Sequence, residues 1–114
     1  MNQCEVWLVD LNPTRGAEIQ KIRPCIIVND DGVGKLPLRV VIPITDWKNH
    51  FAPISWLIKL DPLPTNGLQK MSTADCFQIR SVSHDRFIRK IGTITKTDFE
   101  RIQKGLAVLF SFTS

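Results

Sequence analysis

Val6-Trp7-Leu8-Val9-Asp10-Leu11-Asn12-Pro13-Thr14-Arg15-Gly16-Ala17-Glu18, and then Arg23-Pro24-Cys25-Ile26-Ile27-Val28, read as two apolar strands around a charged hairpin loop. Over residues 5–11, Trp7, Val9 and Leu11 fall on one side and Val6 and Leu8 on the other. Both sides are apolar, so this strand is expected to be buried on two faces. Pro13 ends it and Gly16 permits a turn. The loop gathers Arg15, Glu18, Lys21 and Arg23 beside one strand end. A carboxylate held with guanidinium and ammonium groups can do acid–base work on a phosphodiester without a metal.

Working outward, further strands are expected at residues 39–44, 54–60, 73–82 and 87–94. Asn29-Asp30-Asp31-Gly32 is a turn signal. Gly32-Val33-Gly34-Lys35 lacks the outer glycine and the following hydroxyl of a phosphate loop, so it reads as a hairpin turn. Pro62, Pro64 and Gly67 break the chain. Thr97-Asp98-Phe99-Glu100 fits a capping box with Thr97 as N-cap, and Phe99, Ile102, Leu106, Leu109 and Phe110 recur at helical spacing. Gly105 weakens that helix by about 1 kcal/mol relative to Ala. Many short strands followed by one amphipathic helix predict a single mainly-β domain over residues 1–114, a strongly bent barrel capped by a helix.

At 114 residues, with 43% apolar and 23% charged content, the chain has the composition of an ordinary globular domain. Its net charge of +4 suits a polyanionic partner. No apolar run is long enough for a membrane-spanning helix, and residues 1–10 do not read as a signal peptide. Cys4, Cys25 and Cys76 form no Cys-x-x-Cys pair. They read as small buried hydrophobes in a reducing cytosol, and the expected location is cytoplasmic. Asp10, Asp61 and Asp75 are scattered, no metal cage is suggested, and no cofactor is expected.

RNA can be cut by its own 2′-OH. That needs a group to take the proton, a donor for the leaving 5′-oxygen and positive charge for the phosphorane. Glu18 and Arg23 could supply base and cation, with Arg23 acting electrostatically because its pKa is too high for a good acid. Thr45 offers a hydroxyl after the run Val40-Val41-Ile42-Pro43-Ile44. The plainer alternative is a set of solvated loop charges and a turn hydroxyl. Trp47 and Phe51 follow Thr45, where they could stack on unpaired bases or close the barrel end. His50 and His84 sit in separate polar loops.

Asn12-Pro13-Thr14-Arg15-Gly16-Ala17-Glu18 resembles the first loop of the MazF/PemK/Kid toxins, small ribonucleases of bacterial toxin–antitoxin pairs, and Arg23-Pro24 is similar to their Arg-Pro pair. Pro43-Ile44-Thr45, Gln78-Ile79-Arg80-Ser81-Val82 and Ile91-Gly92-Thr93-Ile94 resemble later motifs of that family in the same order. The resemblance spans nearly the whole chain. It implies an SH3-like barrel of the CcdB/PemK type. It implies a sequence-specific, metal-independent endoribonuclease acting on single-stranded RNA, with Arg23 and Thr45 catalytic and Glu18 assisting. Arg15, Lys21 and Arg80 are expected to meet phosphates, Trp47 to stack on bases, and Gln78 and Arg80 to bond base edges. A homodimer with RNA across the inter-subunit groove, blocked by a cognate antitoxin, is also implied.

The chain departs from the family at Cys4, where glycine is usual, and over residues 73–77, which are more polar. Asp46 and Trp47 also follow Thr45 where many members carry a second hydroxyl, and an acidic residue there repels phosphate. Two other readings are a homologue that binds RNA or antitoxin without cutting, and a CcdB-like gyrase-binding toxin. The chain ends Phe110-Ser111-Phe112-Thr113-Ser114, without the tryptophan such a toxin uses, and it keeps Arg23 and Thr45. Both facts favour the nuclease.

Overall fold

The computed structural model of the chain describes residues 1–33 and 36–112. Seven antiparallel strands precede one helix: β1 (Glu5–Asp10), β2 (Ile22–Ile27), β3 (Leu38–Asp46), β4 (Leu57–Leu60), β5 (Ser72–Asp75), β6 (Arg80–Ser83), β7 (Phe87–Thr93) and α1 (Lys96–Phe110). The sheet runs β4-β5-β3-β2-β1-β7, with β6 also paired to β3. The long strand β3 organises the rest. Its centre pairs with β2, its first half with β6, and its last three residues with β5 through Ile44↔Ala74, Thr45↔Thr73 and Asp46↔Ser72.

The two-faced burial expected of β1 is present. Val6 joins Ile26, Ile42, Ile44, Ile58, Leu60 and Ile102 in a core packed against α1. Val9 and Leu11 join Cys25, Ile27, Val41 and Val82 in a second core, with Trp7 packed against it. The three cysteines are free thiols. Burial pushes Cys25 and Cys76 up to about 12, so both are inert neutral groups. Cys4 has φ +74°, a left-handed conformation that favours glycine. This accounts for the family's preference at that position.

Several expected boundaries move. Residues 73–82 are not one strand: β5 and β6 are separated by a 3-10 turn, Cys76–Gln78, whose first turn is capped by the Asp75 side chain accepting from the Phe77 N–H. Residues 54–56 precede β4 as turn, tied back by the Ile54 N–H to Phe51 O at 2.9 Å. The helix begins earlier than predicted. Thr95, with extended backbone, is the N-cap and accepts from the Asp98 N–H at 3.1 Å, so Thr97 lies inside the first turn. Gly105 faces the core, where a Cβ would come within 3.2 Å of Cys76 Sγ and Ile58 Cδ1, so its small size serves close helix packing. The predicted turn at residues 32–35 falls partly, and the chain end at 113–114 wholly, outside the described residues.

Candidate active site

Arg23 lies near the start of β2, opposite Val9 of β1. The last β2–β3 pair is Cys25↔Pro43, and continuing that register by two residues would set Arg23 across from Thr45. Both line one cleft of about 270 Å³. Leu8, Pro24, Ile44 and Ile91 give it apolar surface, and Asp46, Lys70, Ser72 and Arg89 add polar groups. Arg23 Nε is buried and has no hydrogen-bond partner among the described residues. A buried donor without a protein partner leaves a hydrogen bond open to water or a ligand.

The end of β3 is held in place by Thr73, whose Oγ1 donates to Asp46 O at 3.0 Å. The Asp46 carboxylate lies 2.9 Å from Lys70 Nζ. The bond from Lys70 holds the Asp46 carboxyl below its ordinary range against partial desolvation, and the charges of Lys70, Arg23 and Lys48 act in the same direction.

One wall of the cleft is the loop before β5, shaped by the fully buried Asn66. Its Oδ1 accepts from the Leu63 N–H at 3.1 Å and the Leu68 N–H at 3.0 Å, and its Nδ2 donates to Asp61 O at 2.9 Å. The loop touches β7 backbone to backbone. The Thr93 N–H donates to Thr65 O at 2.8 Å, and a Cβ on Gly92 would lie 2.3 Å from Asn66 C. The Ile91-Gly92 pair of the closing motif is therefore a close-approach site.

Other candidates lie elsewhere. Glu18 lines a separate hollow with Gln78 and Arg80, and its Oε1 accepts from the Arg15 N–H at 2.6 Å. The structure does not bring Glu18 together with Arg23 and Thr45, because Gln78 holds the loop back. Gln78 Oε1 accepts from the Ile19 N–H at 3.2 Å and Nε2 donates to Ala17 O at 3.1 Å. Gln78 thus reads loop backbone, and Arg80 donates to Leu11 O at 3.3 Å. Arg15 and Lys21 are exposed on the loop, outside the cleft. Trp47 meets Phe51 edge-on at 5.8 Å, and Lys59 Nζ sits 5.3 Å from its ring centre. His50 packs on Phe51 and His84 on Phe87, so the two histidines are not a pair. Among the described residues no three His, Cys, Asp or Glu side chains group to hold a metal.

Lys70, Ser72, Arg89 and Asn66 are cleft or wall residues that sequence reasoning missed. Only Asn66 carried a local signal, sitting between Pro64 and Gly67 in a turn-rich stretch.

Fold and cleft define a class: a small β-barrel with an arginine and a threonine lining one cleft. The chain belongs to the PemK-like, MazF-like toxins of type II toxin–antitoxin systems, matching that family over residues 2–110. It is 30% identical over 112 residues to the endoribonuclease MazF9 of Mycobacterium tuberculosis (strain ATCC 25618 / H37Rv), across 93% of this chain and 92% of that protein. It superposes on MazF from Deinococcus radiodurans with a TM-score of 0.79 at 15% identity, covering 97% of this chain and 96% of that one. A mycobacterial endoribonuclease in complex with its cognate antitoxin superposes with a TM-score of 0.77 at 16% identity, covering 100% and 98%. The fold is the SH3-like barrel of this family, as expected.

Proposed function

We propose that the chain is a toxin that cuts single-stranded RNA at specific sequences, without a metal ion, by attack of the 2′-OH on the neighbouring phosphate. The observation that carries this is the convergence of Arg23 and Thr45 on one cleft. Arg23 and the Thr45 hydroxyl hold the non-bridging oxygens as charge builds on the phosphorane. The 2′-oxygen bonds to phosphorus, the 5′-oxygen departs and takes a proton from water, and a 2′,3′-cyclic phosphate remains. Neither Asp46 nor Glu18 takes the proton. Asp46 is kept ionised by Lys70, which makes it a weak base, and Glu18 faces a different hollow. Charge stabilisation is thus the main contribution, and the 2′-OH proton leaves to water.

The family relationship supports a homodimer, a cognate antitoxin and a cytoplasmic location. Phe77, Val108, Phe110 and Phe112 are each more than half exposed and offer apolar surface for a second copy or an antitoxin segment.

The test is cleavage of a long unstructured RNA in EDTA, with fragment ends identified by mass. Cutting that ends in cyclic phosphate is expected. Strict dependence on magnesium, a 3′-hydroxyl end, or binding without cutting would overturn the reading.

A further inference from the structure

We propose that Arg89 grips the RNA phosphate beside the scissile one and so positions the strand over Arg23 and Thr45. The inference rests on the ribonuclease reading above. It starts from an irregularity in β7. The β1–β7 pairing matches Val9 with Phe87 and Leu8 with Arg89, so Ile88 is an extra residue between them. In an unbroken strand Phe87 and Arg89, two apart, would share a face. The bulge at Ile88 separates them. Phe87 turns to Trp7 and the second core, with ring centres 5.8 Å apart, while Arg89 lines the cleft together with Leu8.

Arg89 is also uncommitted. It is exposed and makes no ion pair or side-chain hydrogen bond among the described residues. Three other cations have tasks. Lys70 pairs with Asp46, Arg80 donates to Leu11 O, and Arg86 donates to the carbonyls of Asp10 and Asn12. Arg23 and Arg89 stand on β2 and β7 with β1 between, two strand spacings or about 10 Å apart at the backbone. Arg23 is half-buried with its Nε enclosed, whereas Arg89 is exposed. Two arginines on different strands of one cleft can meet two phosphates of one RNA strand. Arg89 is therefore a positioning residue.

The experiment uses the whole chain and a short single-stranded RNA carrying its mapped cut site. The phosphates on either side of the cut are replaced in turn by neutral methylphosphonates. No cutting of the parent RNA by the wild type would sink the ribonuclease reading itself. If the wild type cuts, Arg89→Ala is expected to raise KM about ten-fold, the scale of one charge-assisted hydrogen bond, with kcat little changed. The slope of log affinity against log salt should become shallower by about 0.7, and Arg89→Lys should restore most of that slope. One neutralised flanking phosphate should weaken the wild type by a similar factor and leave Arg89→Ala no weaker. The inference fails if KM and the salt slope stay at wild-type values. It also fails if Arg89→Ala lowers kcat at saturating RNA, or if its effect persists with both flanking phosphates neutral.

Discussion

Asp46 and Lys70 face each other at 2.9 Å in the cleft that holds Arg23 and Thr45. The acidic residue after Thr45 is thus matched by an ammonium and does not meet phosphate unopposed. Both side chains are largely exposed, so the pair adds little to stability. Asp46→Asn frees Lys70 for phosphate. RNA should then bind more tightly, with a salt slope steeper by about 0.7, while kcat and the melting temperature hold. Weaker binding by the variant would refute this account of the pair.

Arg23→Ala should lower kcat by about 10²–10³ and leave the far-ultraviolet dichroism unchanged, since one preorganised transition-state donor is lost. Arg23→Lys should recover little, because an ammonium cannot reproduce the fork of donors. Single-turnover rates at saturating RNA decide the matter, and a wild-type rate for either variant removes Arg23 from the chemistry.

Glu18→Gln should keep kcat within about ten-fold of wild type, well short of the 10²–10³ expected for a transition-state donor. Its amide oxygen can still accept from the Arg15 N–H and keep the loop in shape. A loss as large as that of Arg23→Ala would mean that the loop carries this carboxylate into the cleft during turnover.

Asn66→Ala should destabilise the domain by about 3 kcal/mol, since one buried and one part-buried N–H group and a carbonyl lose their partner together. The urea midpoint measures this. Cleavage should fall with it, because Gly67, Leu68 and Lys70 on the same loop line the cleft. An unchanged midpoint would show that water replaces the amide.

Acid should expose the role of Glu5. Burial raises its carboxyl, but hydrogen bonds from the Asn2 N–H, the Trp7 indole and Lys90, with the Met1 ammonium nearby, outweigh this and hold it at about 2. The folded value lies below the unfolded one near 4.5, so the stabilisation is present above the unfolded value and is lost as pH falls toward 2. Melting curves from pH 6 to pH 2 should drop over that window, and Glu5→Gln should flatten the drop. A wild-type profile that is flat there would contradict the shift.

What the sequence made legible was local. The hairpin of β1 and β2 follows from apolar runs around Pro13 and Gly16, and Arg23 and Thr45 sit where strand ends present them. The misses need tertiary partners. Arg89 reaches the cleft only because the bulge at Ile88 splits it from Phe87, and period-two counting has no view of a bulge. Gln78 bears a base-reading amide, yet both its groups are taken by the backbone of residues 17 and 19, some 60 positions away in sequence. The break between β5 and β6 hangs on Asp75 capping a turn, which a polar strand residue resembles on paper. Thr95 and Thr97 both offer a capping hydroxyl, and the Ile94 N–H bound to Cys4 O marks where the extended chain stops.

The two-sided burial of β1 also bears on how the chain finds its structure. A strand with one apolar face encodes its alignment, because a slip of one residue turns the core outward. β1 encodes less, since either face can be buried. Alignment then depends on shape and charge: Gly92 opposite Val6, where the neighbouring loop leaves no room for a Cβ, and Lys90 reaching Glu5 at 3.3 Å. All of these belong to β7, the last strand to be synthesised. A nascent chain can form the β1–β2 hairpin early, but the arrival of β7 selects its final alignment. Amide exchange should find β1 less protected in chains that end before Phe87 than in the whole chain. Until β7 arrives the cleft lacks Arg89 and Ile91 and is unfinished.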